Sequence, residues 1–227
     1  MTELRVLVTG FGPFPGMPEN SSAWLVDSLG VTARRAACQP HTLVFPTEWA
    51  AVSQLAPRLL DTVQPHIALH FGVSHRAASF RIERFAHNEV NARADASGAV
   101  PDATAIVAGG ADCLSTSLPA HRLAQHLNTC GVRASPSGCA GRYLCNFLYY
   151  LSLDWAERQA QPCVAAFVHM PPRPADGGPF SEADLLHGAD RILDFMIAFA
   201  REQEQPRRVQ TRTGPSVAWD ASATKDA

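Results

Sequence analysis

The chain has 227 residues, 46% of them hydrophobic and 18% charged, and its formal net charge is −2. A chain of this length and composition can bury the core of one globular domain. Because the charge is nearly balanced and basic residues form no run longer than an Arg-Arg pair, neither nucleic acid nor an anionic membrane is favoured as a partner. The apolar run near the N-terminus is too short to span a membrane and lacks a cleavage-type flank, so we expect a soluble, cytoplasmic protein.

The six cysteines show neither CxxC spacing nor the histidine spacing of a zinc site. We therefore expect no metal, and we expect no organic cofactor. In a cytosolic protein most cysteines are reduced and behave as small buried hydrophobic residues, so at most one should have a chemical role. The cysteines are Cys38, Cys113, Cys130, Cys139, Cys145 and Cys163.

In chain order, short apolar runs alternate with amphipathic stretches. The apolar runs predict buried strands, and they cover residues 4–8, 41–45, 67–72, 132–135 and 164–170. The amphipathic stretches predict helices, and they cover residues 20–29, 50–63 with a kink at Pro57, 116–129, 142–156 and 181–199. Asn20-Ser21-Ser22 should cap the first helix, and Ser181 with Asp184 should form a capping box at the last. Residues 80–86 should be extended and half-exposed, and residues 11–18 and 91–111 should be loops.

This alternation predicts the α/β class, with a single three-layer α/β/α domain and a mostly parallel central sheet. The domain should span residues 1–203. Residues 204–227 are polar and unpatterned, which predicts a flexible C-terminal tail.

Cys145 is the cysteine best placed to act as a nucleophile, because it lies near the first turn of the predicted helix 142–156. The unpaired N–H groups and partial positive charge of a helix N-terminus favour a thiolate, which is the form that attacks a carbonyl carbon. Cys139 lies in the preceding loop and lacks this placement. The alternative interpretation is a buried structural thiol, which position alone leaves open.

His169 and Glu83 are candidate partners of that thiol. His169 comes at the end of an apolar strand, and catalytic groups of open α/β sheets gather at the carboxyl ends of strands. An imidazole there can take a proton from a thiol and deliver it to a leaving amine. Glu83, in a half-buried strand, can face inward and hold the imidazole in one tautomer. The alternatives are a structural histidine and a solvated glutamate paired with a neighbouring arginine.

These residues and the segments around them resemble a known family. The order Glu83, Cys145, His169, the opening Val8-Thr9-Gly10-Phe11-Gly12-Pro13-Phe14 and the Asn20-Ser21-Ser22 turn are similar to the pyroglutamyl peptidase I (pyrrolidone-carboxylate peptidase) family of cysteine peptidases. The resemblance implies that the protein hydrolyses the amide bond after an N-terminal pyroglutamyl residue of small peptides. It implies that Cys145 is the nucleophile, that His169 is the general base and acid, and that Glu83 orients His169.

The resemblance also implies a pocket for the pyroglutamyl ring. Phe11 and Phe14 match the aromatic residues of the family's pocket, and Tyr143 stands where the family has Phe or Tyr. The main-chain carbonyl of Val73 matches the group that accepts the lactam N–H, and Arg93 matches an arginine near the oxyanion in the bacterial branch. An uncharged lactam needs flat apolar walls and a few matching hydrogen bonds. The alternative for Phe11 and Phe14 is core packing.

One departure and two rival functions accompany this interpretation. Where the family's bacterial branch has Gly-Gly after the third strand, this chain has Ser74-His75-Arg76, so we expect weaker pyroglutamate binding or a narrower choice of leaving group. One rival is an amidase of the glutamine-amidotransferase type, which places its cysteine between glycines on a tight elbow, whereas Leu144 and Asn146 flank Cys145. The other is a catalytically silent binding protein of the same fold. Family resemblance further implies a homotetramer.

Overall fold

The computed structural model describes residues 3–32, 40–74 and 77–204. The strands are β1 (Val6–Phe11), β2 (His41–Phe45), β3 (Ile67–Val73), β4 (Phe80–Glu83), β5 (Phe85–His87), β6 (Cys113–Ser115), β7 (Ala134–Ser137) and β8 (Val164–Met170). The helices are α1 (Ser21–Thr32), α2 (Trp49–Val63), α3 (Ala120–Thr129), α4 (Leu144–Glu157) and α5 (Glu182–Glu204). None of the helices in these ranges is both long and apolar enough to cross a membrane.

Six strands form the central sheet in the order β2-β1-β3-β8-β4-β7. Strands β2, β1, β3 and β8 run parallel to one another, and β4 pairs antiparallel with β8 and parallel with β7. Strands β5 and β6 form a separate antiparallel pair. The mostly parallel sheet and the α/β class are therefore confirmed.

Helices cover both faces of the sheet and create two cores. Helices α1, α3 and α5 pack on one face, where they meet side chains such as Leu69 and Phe71 of β3. Helices α2 and α4 pack on the other face, where they meet Ala68 of β3 and Phe167 of β8. Successive strand residues point to opposite faces, which explains why Ala68 and Leu69 belong to different cores. The result is the predicted three-layer arrangement.

Both predicted capping signals are present. The Asn20 side-chain oxygen accepts from the Ser22 N–H at 3.0 Å at the start of α1. The Ser181 hydroxyl accepts from the Asp184 N–H at 3.1 Å, and Asp184 accepts from the Ser181 N–H at 3.2 Å. These reciprocal bonds satisfy N–H groups that a helix start would leave unpaired.

Several predicted boundaries were wrong. Strand β1 continues through Phe11, which pairs with Phe45 of β2, so Phe11 ends a strand and does not lie in the loop. Helix α3 begins at Ala120 and not at residue 116, because Pro119 limits where it can start; α2 is the predicted single helix with Pro57 inside it. The segment predicted as one half-exposed strand forms β4 and β5, and Glu83 is fully buried, because β4 lies inside the sheet between β8 and β7. Glu204, the first residue of the predicted tail 204–227, ends α5; Cys38 and residues 205–227 lie outside the described residues.

Candidate active site

The carboxyl ends of β1, β3 and β8 meet the start of α4 at one edge of the sheet and enclose a cavity of about 260 Å³. Parallel strands that end side by side leave such a crevice where their loops diverge. The predicted site residues Phe11, Phe14, Val73, Arg93, Tyr143, Cys145 and His169 all line it. The other lining residues are Asn20, Thr47, Gly72, Ser74, Ala140 and Leu144.

Helix α4 begins at Leu144, two residues after the predicted start at Arg142, so Cys145 is its second residue and lies closer to the helix N-terminus than predicted. Gly141 adopts a left-handed conformation with φ of 85°, which glycine tolerates and which turns the chain just before the helix. A Cβ atom on Gly72 would lie 3.0 Å from Sγ of Cys145. Gly72 itself is paired with His169 across β3 and β8. The sulfur therefore lies over the end of β3, next to the strand position of the histidine.

His169 and Glu83 are joined by a hydrogen bond of 2.8 Å between Nδ1 and Oε1. The register of β4 against β8 explains this contact, because Arg81 lies opposite His169 and Glu83 lies opposite Phe167. Residues directly opposite, and those two positions away, share one face of an antiparallel pair. Glu83 is fully buried, and its Oε1 is also 3.9 Å from Nε of Arg81. Glu83 is thus not the solvated acid of the alternative interpretation.

The surroundings of His169 favour its protonated form. Burial alone would lower the pKa of this imidazole, but interaction with the Cys145 sulfur, and then with the Glu83 carboxylate, raises the pKa to about 9. With Glu83 at Nδ1, the nitrogen Nε2 remains for exchange of a proton with the thiol. His70, on the neighbouring strand, shows the opposite behaviour: burial lowers its pKa to about 3, and its ring contacts the neutral Thr9 hydroxyl at 2.7 Å and not a carboxylate.

Aromatic side chains form the wall of the cavity near α4. The Tyr143 ring packs edge-on against Trp49, with centroids 5.1 Å apart. The Tyr143 hydroxyl donates to the main-chain oxygen of Ala94 at 3.1 Å, and the Arg93 guanidinium lies 4.8 Å from the ring centroid. Tyr143 is thereby fixed on two sides. On the opposite wall, Phe11 is 3% exposed and packs on Phe45, so it serves the core and the cavity together.

Sequence reasoning did not identify Asn20 or Thr47 as cavity residues. The Asn20 amide and the Thr47 hydroxyl both donate to the main-chain oxygen of Gly12, at 2.9 Å and 2.8 Å. They hold the loop that carries Phe14. Thr47 follows the carboxyl end of β2, so the rule that places His169 at the sheet edge also applies to it. The sequence pattern presents Asn20 as a helix cap and as part of a turn that resembles the family, but not as a cavity residue.

Asn146 is a further supporting residue that the sequence pattern did not reveal. Its amide donates to the main-chain oxygens of His87 and Glu89, at 2.8 Å and 3.0 Å. Its side-chain oxygen accepts from the His87 N–H at 2.8 Å. Asn146 is fully buried, so these bonds fasten the first turn of α4, and with it Cys145, to β5.

A thiol, an imidazole and a buried carboxylate beside a largely apolar cavity in an α/β domain define the architecture of a cysteine hydrolase. The sequence model of the pyroglutamyl peptidase family matches residues 4–177. The chain is 32% identical over 170 residues to a pyrrolidone-carboxylate peptidase of Pyrococcus furiosus, covering 74% of this chain and 81% of that protein. It is 29% identical over 201 residues to human pyroglutamyl-peptidase 1, covering 88% and 92%.

Solved structures give the same result. A mutant pyrrolidone carboxyl peptidase from Pyrococcus furiosus superimposes with a TM-score of 0.80 at 27% identity, covering 86% of this chain and 99% of that one. The chain belongs to the pyroglutamyl peptidase family of cysteine peptidases.

Proposed function

We propose that the protein hydrolyses the amide bond after an N-terminal pyroglutamyl residue, with Cys145 as nucleophile, His169 as general base and acid, and Glu83 as the residue that orients His169. One observation carries the proposal: Sγ of Cys145 lies over Gly72, beside His169, whose Nδ1 is bonded to the buried Glu83. Membership of the pyroglutamyl peptidase family supports the same reaction.

The first half of the reaction forms a thioester. Nε2 of His169 takes the thiol proton of Cys145, and the sulfur attacks the carbonyl carbon that joins pyroglutamate to the next residue. Main-chain N–H groups at the start of α4 lack partners within the helix and can stabilise the oxyanion. Removing one such donor costs about 3 kcal/mol in comparable sites. The C–N bond then breaks as the imidazolium protonates the departing amine.

The second half regenerates the enzyme. Water attacks the thioester while His169 removes its proton, and the tetrahedral intermediate collapses to free pyroglutamate and the thiol. Glu83 accepts from Nδ1–H throughout, which keeps Nε2 available for each proton transfer. A pKa near 9 for His169 agrees with an imidazole that carries the proton between the two transfers at neutral pH.

The cavity suits an uncharged ring better than a free amino terminus. In the proposed complex the lactam lies between Phe11, Phe14 and Tyr143, and its N–H donates to the carbonyl of Val73. Among the described residues, no cavity-lining side chain is a carboxylate, whereas Arg93 and protonated His169 are positive. An α-ammonium group would therefore be desolvated without a partner and repelled, which disfavours ordinary aminopeptidase substrates.

The test is chromophore release from pyroglutamyl, prolyl and alanyl arylamides. Proline is the matched control because its ring has the same size but carries a charged amine in place of the lactam. We expect kcat/KM for the pyroglutamyl substrate to exceed that for the prolyl substrate by at least about a hundredfold. Comparable rates for the two substrates would contradict the proposed specificity, and absence of turnover for all three would favour the silent binding protein.

A further inference from the structure

Arg93 presents a positive charge at the cavity that the proposed reaction does not use. Its guanidinium is exposed and lines the same cavity as Cys145. Among the described residues it has no carboxylate partner at ion-pair distance. Asp95, two positions further on, is buried and accepts from the N–H groups of Trp49, Ser97 and Ala99. The charge of Arg93 is therefore available to a ligand.

Arg93 is held both at its main chain and at its guanidinium. The indole N–H of Trp49 donates to the main-chain oxygen of Arg93 at 3.1 Å. At the other end of the side chain, the guanidinium stacks over the Tyr143 ring at 4.8 Å, and Tyr143 is tied back to Ala94 through its hydroxyl. A cation fixed in this way loses less conformational entropy when it binds an anion than a freely rotating side chain would.

The pyroglutamyl ring cannot be the partner of this charge, because the ring is neutral. The buried carboxylate of Glu83 is bonded to His169, and the transient oxyanion can be stabilised by N–H groups at the start of α4. The Cys145 thiolate has protonated His169 beside it as its counter-charge, so the remaining place for a negative charge is the leaving part of the substrate. A free carboxylate on the residue after the scissile bond would lie close to the reacting carbonyl. It would therefore lie within the electrostatic field of the Arg93 guanidinium at the cavity.

We propose, on the basis of the proposed peptidase activity, that Arg93 is a specificity residue that favours substrates with a carboxylate on the residue after pyroglutamate. The substrate class is therefore pyroglutamyl dipeptides with a free C-terminus. Because the guanidinium is exposed and screened by solvent, its contribution is modest, about two- to fivefold in kcat/KM.

The experiment compares pyroglutamyl-alanine, which has a free carboxylate, with pyroglutamyl-alanine amide. The ratio of their kcat/KM values is measured for the unmodified protein and for Arg93→Gln, Arg93→Lys and Arg133→Gln. The intrinsic reactivity of the two substrates is the same for every variant, so it cancels when the ratios are compared. Arg133 is the matched control, because it is also exposed and stacks on an aromatic ring, Phe180, at 4.7 Å but does not line the cavity.

We expect Arg93→Gln to lower the ratio by about two- to fivefold, Arg93→Lys to retain most of it, and Arg133→Gln to leave it unchanged. Added salt should lower the ratio for the unmodified protein and not for Arg93→Gln.

An equal loss of kcat/KM on both substrates in Arg93→Gln would overturn the proposal and assign Arg93 to stabilisation of the oxyanion or the thiolate. An unchanged ratio would also overturn it, while cleavage of both peptides would leave the peptidase assignment intact. Failure to cleave either peptide would instead count against the peptidase assignment itself.

Discussion

Gly72 and Cys145 are in such close contact that a Cβ atom on the glycine would lie 3.0 Å from the sulfur and 2.8 Å from Cζ of Phe167. Phe167 is fully buried, so an added methyl group must displace the ring, the sulfur or both. A displacement of about 1 Å at a reacting atom can cost a hundredfold in rate. We therefore predict that Gly72→Ala lowers kcat by roughly tenfold to a hundredfold while far-UV circular dichroism stays unchanged.

Gly188 of α5 provides a matched control for overpacking. A Cβ atom there would lie 2.5 Å from Cε2 of the Phe80 ring, in the core on the other face of the sheet. Both Gly188→Ala and Gly72→Ala should destabilise the fold by about 1 to 3 kcal/mol, but Gly188→Ala should not lower kcat. An equal loss of kcat in both variants would show that general overpacking, and not the position of the sulfur, limits the rate.

Cys145 should be the thiol that carries the activity, although Cys139 is also near a positive charge. Sγ of Cys139 is exposed and accepts from Nη1 of Arg142 at 3.1 Å. Cys145 differs in having an imidazole and the N-terminus of α4 beside it. We predict that Cys145→Ser lowers kcat/KM by at least about a thousandfold, whereas Cys139→Ser retains activity.

Labelling with substoichiometric iodoacetamide checks the same assignment without turnover. Peptide mapping should find the label first on Cys145, and Cys145→Ser should abolish the fast phase. A fast phase that persists in Cys145→Ser and disappears in Cys139→Ser would transfer the nucleophile to Cys139.

The raised pKa of His169 predicts a pH-dependent stability. In the unfolded chain a histidine titrates near 6.5, and in the fold its pKa is about 9. The folded state therefore binds the proton more tightly, so the stabilisation is complete below pH 6.5 and is lost as the pH rises through 9. The free energy of unfolding of the unmodified protein, minus that of His169→Gln, should fall by about 1 to 3 kcal/mol between pH 6 and pH 9.5.

Urea unfolding at several pH values measures the free energy of unfolding of the unmodified protein and of His169→Gln. Titrations that are the same in the two proteins cancel in the difference. Glu83→Gln should reduce the pH dependence, because the carboxylate is one of the groups that raise the pKa of His169. A difference that stays constant, or that grows with pH, would show that His169 is not held as an imidazolium in the fold.

Local sequence signals were enough to place Cys145 near a helix start and His169 near a strand end. Each lies at the end of an element with a clear pattern, and the rules for helix starts and strand ends need no knowledge of distant residues. Glu83 is different, because its contact with His169 depends on the antiparallel register of β4 against β8. That register joins residues far apart in sequence, and the segment 80–86 alone did not reveal that β4 is an interior strand with a buried acid.

The wall of the cavity was less predictable for a related reason. Arg93 lies in a segment without periodicity, and its position depends on side-chain bonds from Trp49 and on stacking with Tyr143. The resemblance to the family suggested Arg93 as a site residue, but it carried no information on these supports. The expected effect of Ser74-His75-Arg76 and the homotetramer stay predictions; of the three loop residues, Ser74 lines the cavity, and the other two lie outside the described residues.

Trp49 should affect substrate binding through a single hydrogen bond. Its indole N–H donates to the Arg93 carbonyl at 3.1 Å, and its ring packs against Tyr143. Trp49→Phe removes the donor and keeps an aromatic ring at the wall. Because the cavity wall would lose one support while Cys145, His169 and Glu83 keep theirs, we predict a KM increase of about two- to tenfold with little change in kcat.

Trp155→Phe is the control for Trp49→Phe. The indole of Trp155 also donates one hydrogen bond, to Asp61 at 2.8 Å, and its side chain is similarly buried, but it lies near the other end of α4. Both variants should lose about 1 kcal/mol of stability with the hydrogen bond. Only Trp49→Phe should raise KM, because only Trp49 supports the segment that carries Arg93. Equal KM values in the two variants would mean that the bond to Arg93 stabilises the fold without shaping the cavity.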